Sequence, residues 1–174
     1  MNKSSRRIIL TGFMGAGKTT VAAELAHKLG CRMIDLDEFI TAREGRSISD
    51  IIDRDGEAQF RERETGALQT ALKENLARVI ALGGGTWTIE KNRALIKSSD
   101  CLTVWLDAPF ELCWQRIERE SNPRPLARDK ESTQQLYQQR QPSYALALLH
   151  LKVNGKSPQR LATEIIKALA EEEH

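Results

Sequence analysis

Ile8-Ile9-Leu10-Thr11-Gly12-Phe13-Met14-Gly15-Ala16-Gly17-Lys18-Thr19 is an apolar run that turns into a glycine-rich loop and ends on a lysine and a hydroxyl residue. Gly12, four free positions, Gly17, Lys18 and Thr19 complete the spacing of a phosphate-binding loop. The apolar run reads as a strand, and a helical pattern begins at Thr19. The motif needs that strand-loop-helix context. Glycines let the backbone wrap closely around an anion and aim N–H groups inward. The positive end of the following helix adds to the attraction. Candidate nucleotide contacts are Gly12, Gly15, Ala16, Gly17, Lys18, Thr19 and Thr20. Lys18 can reach the β- and γ-phosphates of a nucleoside triphosphate, and the Thr19 hydroxyl can ligate Mg²⁺.

Outward from the loop, short apolar runs alternate with helical patterns. Residues 7–11 read as the first strand and 32–35 as the second. Residues 78–82, 101–106 and 149–153 read as the third, fourth and fifth. Helices are expected over 19–29, 47–54, 57–73, 88–97, 109–119 and 131–140, with a last helix capped by Ser157. On residues 19–29, Val21, Ala22, Leu25, Ala26 and Leu29 share one face, and Gly30 ends the pattern. Ser47 and Asp50 resemble a capping box. The helix after 131 is expected to stop before Pro142. Residues 121–130 hold two prolines and read as a mobile loop. Strands alternating with helices imply a mostly parallel sheet covered on both faces. Ligands of such sheets sit beyond the carboxyl ends of the strands. The phosphate loop, Asp35, Asp37 and Gly83-Gly84-Gly85 all follow strands, so they are expected to converge.

The 174 residues suit one domain with a sizeable core. A net charge of +2 favours neither nucleic acid nor an anionic membrane. No stretch has the length of a membrane span, and no signal-peptide apolar segment follows the basic start. The three cysteines, Cys31, Cys101 and Cys113, are widely spaced. They suggest a reducing cytoplasm, with Cys31 and Cys101 as buried small apolar residues. The three histidines form no cluster, which argues against zinc.

Phosphoryl transfer needs positioning, Mg²⁺ and cations around the migrating group. Besides Thr19, the acids after strands two and four are candidates for the metal region. Asp107 precedes Ala108-Pro109 at a helix start and is assigned to capping; Asp35 is assigned to the metal. Asp37 either orients a substrate hydroxyl as nucleophile or caps a helix from Glu38. Arg61, among Glu57, Glu62 and Glu64, either belongs to a solvated ion-pair network or grips a substrate carboxylate while Glu64 holds it. Three glycines after a strand are costly in backbone entropy, which favours close backbone approach to a ligand at Gly83, Gly84 and Gly85. Arg124 and Arg128, in the loop, are candidates to deliver a cation as a lid closes. Arg140 either complements a helix end or supplies a second grip on an anionic substrate.

Taken in order, these motifs resemble the shikimate kinase family over essentially the full chain. They are Gly12 to Thr19, Asp35-Leu36-Asp37, Phe60-Arg61, Gly83-Gly84-Gly85, Arg124-Pro125-Leu126 and Arg140-Gln141-Pro142-Ser143-Tyr144. The resemblance implies an α/β P-loop NTPase fold of the nucleoside-monophosphate-kinase type. Its five-stranded parallel sheet is flanked by helices on both faces, with a lid loop. Residues 1–174 would form one kinase domain, with a substrate-binding helical segment near 37–64 and a lid near 121–130. It implies ATP-dependent phosphorylation of the 3-hydroxyl of shikimate, on the route to chorismate and aromatic amino acids. Asp37 would orient the hydroxyls, Arg61 and Arg140 would hold the carboxylate, and Gly83 to Gly85 would meet the ring. Lys18 and Arg124 would stabilise transferred charge, and Thr19 and Asp35 would sit near Mg²⁺. Arg116 and Pro158 match positions beside adenine. A cytoplasmic monomer is expected. The chain departs from the family pattern at Thr19, Ile52, Ala127 and Asn154, where serine, an aromatic, leucine and an acid are commoner.

Two rival readings carry different expectations. A gluconate- or nucleoside-monophosphate-type kinase shares the architecture, but the trio Asp37, Arg61 and Arg140 favours a hydroxylated carboxylic acid. A guanine-nucleotide switch would carry Asn-Lys-x-Asp, and the sequence has none.

Overall fold

The computed structural model describes residues 6–120 and 126–172. Strand β1 (Arg7–Thr11) leads into helix α1 (Lys18–Leu29), then β2 (Met33–Asp35) and three helices, α2 (Leu36–Glu44), α3 (Ile48–Asp55) and α4 (Glu57–Lys73). Next come β3 (Val79–Ala81), a 3₁₀ turn at Thr86–Thr88, α5 (Glu90–Lys97) and β4 (Cys101–Asp107). The remainder is α6 (Phe110–Arg119), α7 (Lys130–Tyr144), β5 (Leu149–Lys152) and α8 (Pro158–Glu171).

The five strands form one parallel sheet in the order β2-β3-β1-β4-β5. Ile9 pairs with Ile80 on one side and Thr103 on the other, so β1 is central. Ile8, Ile9 and Leu10 have no exposed surface, as expected of a strand covered by helices on both faces. Helix α1 buries Val21, Ala22, Leu25 and Ala26 and packs beside α8, whose own stripe is Leu161, Ala162, Ile165 and Leu169. Gly30 closes α1 in the left-handed conformation, at φ 60°. Ser47 caps α3 by accepting from the Asp50 amide at 3.1 Å, and Ser157 caps α8 through the Arg160 amide at 3.2 Å.

Four expectations need correcting. Helix α2 begins directly after β2, so Asp37 lies in its first turn. The α2 cap is Asp35, whose carboxylate accepts from the Glu38 amide at 3.1 Å. Asp107 caps nothing: α6 starts at Phe110, with Pro109 at the cap position and no side-chain cap, and Asp107 is the last residue of β4. Helix α7 does not stop at Arg140 but continues through Pro142 to Tyr144. Proline removes one backbone donor there. Tertiary bonds hold that turn: Trp87 Nε1 donates to the Ser143 carbonyl at 2.8 Å, and the Tyr144 hydroxyl donates to Gly84 at 2.6 Å. Finally, Cys101 and Cys113 are buried, but Cys31 is only partly so.

Candidate active site

The loop after β1 needs glycine for two separate reasons. Gly12, Gly15 and Gly17 have φ of 147°, 78° and 95°, values that L side chains rarely adopt. Two of them also face backbone. A methyl group on Gly12 would lie 2.7 Å from the Leu106 carbonyl oxygen of β4, and one on Gly15 would lie 2.7 Å from that of Cys113 on α6. Gly12 is therefore pressed against the sheet, while Gly15, Ala16 and Gly17 line the cavity above. The Ala16 amide donates to the Phe13 carbonyl at 3.1 Å, which tightens the turn. Lys18 is largely buried; its ammonium donates to the carbonyls of Gly12 at 2.7 Å and Phe13 at 3.0 Å. A positive charge is thus held at the mouth of the loop, above the N-terminus of α1. Thr19 and Thr20, in the first turn, also line the cavity. So do Arg116 and Pro158; Arg116 donates to the Gly15 carbonyl at 3.0 Å. Beneath the loop, burial pushes the Cys113 thiol up to about 11, against the opposing pull of Lys18 and Arg116.

The second half of the site is organised by Gly83, Gly84 and Gly85. No positive φ requires glycine at these three positions. Space does. A methyl group on Gly83 would lie 2.6 Å from the Asp37 carboxylate, and one on Gly84 would lie 3.2 Å from Arg140 Nη1. On Gly85 it would collide with the Arg61 guanidinium, 2.8 Å from Nη1. Each glycine therefore makes room for one of the three side chains singled out in the sequence. Asp37 comes from α2, Arg61 from α4 and Arg140 from α7. Sequence separation hid this pairing, because nothing in the glycine run says which side chains fold over it.

Arg61 pairs with Glu64 at 2.8 Å and more loosely with Glu57 at 3.7 Å. Glu64 is 1% exposed, so the pair is not a solvated surface network. The other Glu64 oxygen accepts from the Thr86 hydroxyl at 2.8 Å, and Asn92 donates to the Thr86 carbonyl at 3.0 Å. A buried carboxylate satisfied on both oxygens holds its arginine firmly, whereas an unpaired one would be costly. Arg140 is 8% exposed and lies 6.0 Å from the Phe13 ring centroid. Thr86, Asn92 and Phe13 were not foreseen; neither type nor spacing marks them.

Both halves open into one cavity of about 1400 Å³, lined by Lys18 and Thr19 as well as Asp37, Arg61 and Arg140. Arg124 and the part of the expected lid at 121–125 lie outside the described residues. Among the described residues, no group of three or more His, Cys, Asp or Glu side chains is placed to hold a metal. The Thr19 hydroxyl donates to the Asp35 carboxylate beside the phosphate loop. One hydroxyl and one carboxylate suit Mg²⁺, which keeps waters and shares substrate phosphates. They do not suit zinc.

A phosphate loop on the central strand of a parallel sheet, facing an acid and two arginines across one cleft, defines a P-loop phosphotransferase. A family model described as shikimate kinase matches residues 14–170. The chain belongs to the shikimate kinase family. It is 35% identical over 162 residues to the shikimate kinase of Persephonella marina, covering 92% of this chain and 97% of that one. A solved shikimate kinase from Acinetobacter baumannii in complex with shikimate superposes with a TM-score of 0.88 at 34% identity, covering 96% of this chain and 94% of that one. A gluconokinase from Sinorhizobium meliloti shares the fold alone, with a TM-score of 0.59 at 14% identity over 98% of each chain.

Proposed function

We propose that this chain transfers the γ-phosphoryl group of ATP to the 3-hydroxyl of shikimate, giving shikimate 3-phosphate and ADP. The observation that carries the reading is the placing of Asp37, Arg140 and Arg61 over Gly83, Gly84 and Gly85 in the cavity that also holds Lys18. Membership of the shikimate kinase family selects the acceptor. Two arginines suit a planar carboxylate through forked hydrogen bonds. The Asp37 carboxylate, set over Gly83, suits a hydroxyl nucleophile. An acceptor carrying a phosphate would leave Asp37 facing like charge.

In this reading the loop amides and α1 hold the triphosphate, and Lys18 follows charge onto the β–γ bridge. Arg116 and Pro158 flank the adenine. Arg61, held by Glu64, and Arg140 fix the acceptor carboxylate. That grip sets the 3-hydroxyl beside Asp37, which orients it and takes its proton as oxygen bonds to phosphorus. The bond from the γ-phosphorus to the bridging oxygen breaks, and ADP leaves with that electron pair. Thr19 and Asp35 would hold Mg²⁺, which, when bound, neutralises charge on the phosphate oxygens. Residues 1–174 act as one kinase domain, supported by a single sheet spanning Arg7 to Lys152. A reducing, cytoplasmic location fits three free cysteines, and no helix among the described residues is long and apolar enough to cross a membrane; a monomer is part of the same reading.

Purified protein supplied with ATP and magnesium should release ADP only when shikimate is added. Turnover of gluconate or a nucleoside monophosphate without turnover of shikimate would reject the assignment. Light scattering on the same sample checks the monomer.

A further inference from the structure

Helix α7 grips the glycine loop at two points one helical turn apart. Arg140 and Tyr144, spaced i and i+4, lie on one helix face. The Arg140 guanidinium lies over the α-carbon of Gly84, where an added methyl group would stand 3.2 Å from Nη1. The Tyr144 hydroxyl donates to the carbonyl of that same residue at 2.6 Å. Tyr144 has no exposed surface and also packs against Trp105, with ring centroids 6.1 Å apart. Burial pushes its phenol up to about 12, with the nearby Arg140 guanidinium pulling the other way. It therefore stays protonated and donates across the working range of the enzyme.

Gly83, Gly84 and Gly85 have no side chains with which to anchor themselves. Pro142 has also removed one backbone donor from the last turn of α7. The Gly83 and Gly85 carbonyls accept within the following turn, from the Thr86 amide at 3.2 Å and the Thr88 amide at 3.1 Å, and the Tyr144–Gly84 bond joins that turn to the end of α7. The Trp87–Ser143 bond, at 2.8 Å, reinforces it from the turn that follows the glycines.

We propose that Tyr144 is a positioning residue. Its hydroxyl clamps the Gly84 carbonyl, and so holds Arg140 over the loop at the point from which it grips the acceptor carboxylate. The inference rests on the acceptor reading above and adds a residue that does not itself touch the substrate.

Tyr144→Phe keeps the ring and removes only the donor. The KM for shikimate should rise about ten-fold, the scale of one unsatisfied buried carbonyl. The KM for ATP and kcat should move by less than about two-fold, since the phosphate loop is untouched. In an Arg140→Ala background the same change should add nothing to the KM, because both act through one contact. An unchanged KM for shikimate, equal rises for both substrates, or additive effects in the double variant would each overturn the clamp. A fall in Tm without the split between the two KM values would show a purely structural tyrosine. Hydrogen exchange separates this inference from the acceptor reading. Without any ligand, amides 83–88 should exchange faster in Tyr144→Phe while those of β1 do not. Unchanged exchange there refutes the clamp whatever the acceptor. Failure of the unmodified protein with shikimate refutes the acceptor reading and leaves exchange to judge the clamp. If Tyr144→Phe does not fold, Trp87→Phe tests the same junction through Ser143 with the same expected split.

Discussion

Gly85 shows how much chemistry a missing side chain can carry. Its backbone is ordinary, at φ −103° and ψ −11°. Only the Arg61 guanidinium above it forbids a methyl group. Gly85→Ala should displace that guanidinium against the buried Glu64. Overpacking of about 1–3 kcal/mol should appear as an approximately ten-fold rise in the KM for shikimate, with little change in the KM for ATP. Steady-state kinetics varying each substrate in turn would show it; equal effects on both would contradict the steric account. Asp37 stands opposite Gly83 and is assigned to the reacting hydroxyl. Asp37→Asn keeps the shape and removes the base. Single-turnover rates should fall by roughly 10²-fold or more; a normal rate would remove Asp37 from the chemistry.

At the level of elements, α2 carries Asp37 and α4 carries Arg61, with α3 between them in the chain. An ion-pair network ties the three helices. Arg63 meets Asp55 at 2.6 Å and Glu44 at 3.2 Å, and Arg46, in the turn before α3, also pairs with Asp55. Hydrogen bonds from Arg46 and then Arg63 hold the Asp55 carboxyl down to about 2, from an ordinary 3.8. The folded value is the lower one. The stabilisation is therefore complete above the unfolded value and is lost as pH falls through the folded value. Urea midpoints of the unmodified protein and Asp55→Asn should differ fully at neutral pH. They should converge between about pH 4 and pH 2. A gap that persists at the acid end would mean that the network does not act through this carboxylate. Helix α7 teaches a different lesson. A proline near its end suggested a stop, yet contacts from Trp87 and Tyr144 carry the helix one turn further.

Over the whole molecule, the two ends of the cavity should respond to ligands independently. A ligand at 100 times its Kd raises stability by about 2.7 kcal/mol. Shikimate should raise the Tm of the unmodified protein, and Arg61→Ala should abolish that shift while leaving the shift from ADP. Loss of both shifts would place Arg61 in the fold and not in the acceptor end. The elements themselves were legible because their causes are local. Alternation of apolar runs, the stripe on α1, the Ser47 and Ser157 caps and the spacing of Gly12 to Thr19 depend on near neighbours in the chain. Errors came where local rules compete with packing. Asp35 capped α2 in place of Asp37, Asp107 capped nothing, and α7 passed through Pro142. By itself, then, the amino-acid order determined the alternating architecture, the anion loop and a short set of acids and arginines worth placing. Only tertiary structure decided that Asp37, Arg140 and Arg61 lie over successive glycines and that Tyr144 reaches Gly84. Those contacts join residues tens of positions apart. They exist because strand order β2-β3-β1-β4-β5 brings the ends of separate strands to one edge.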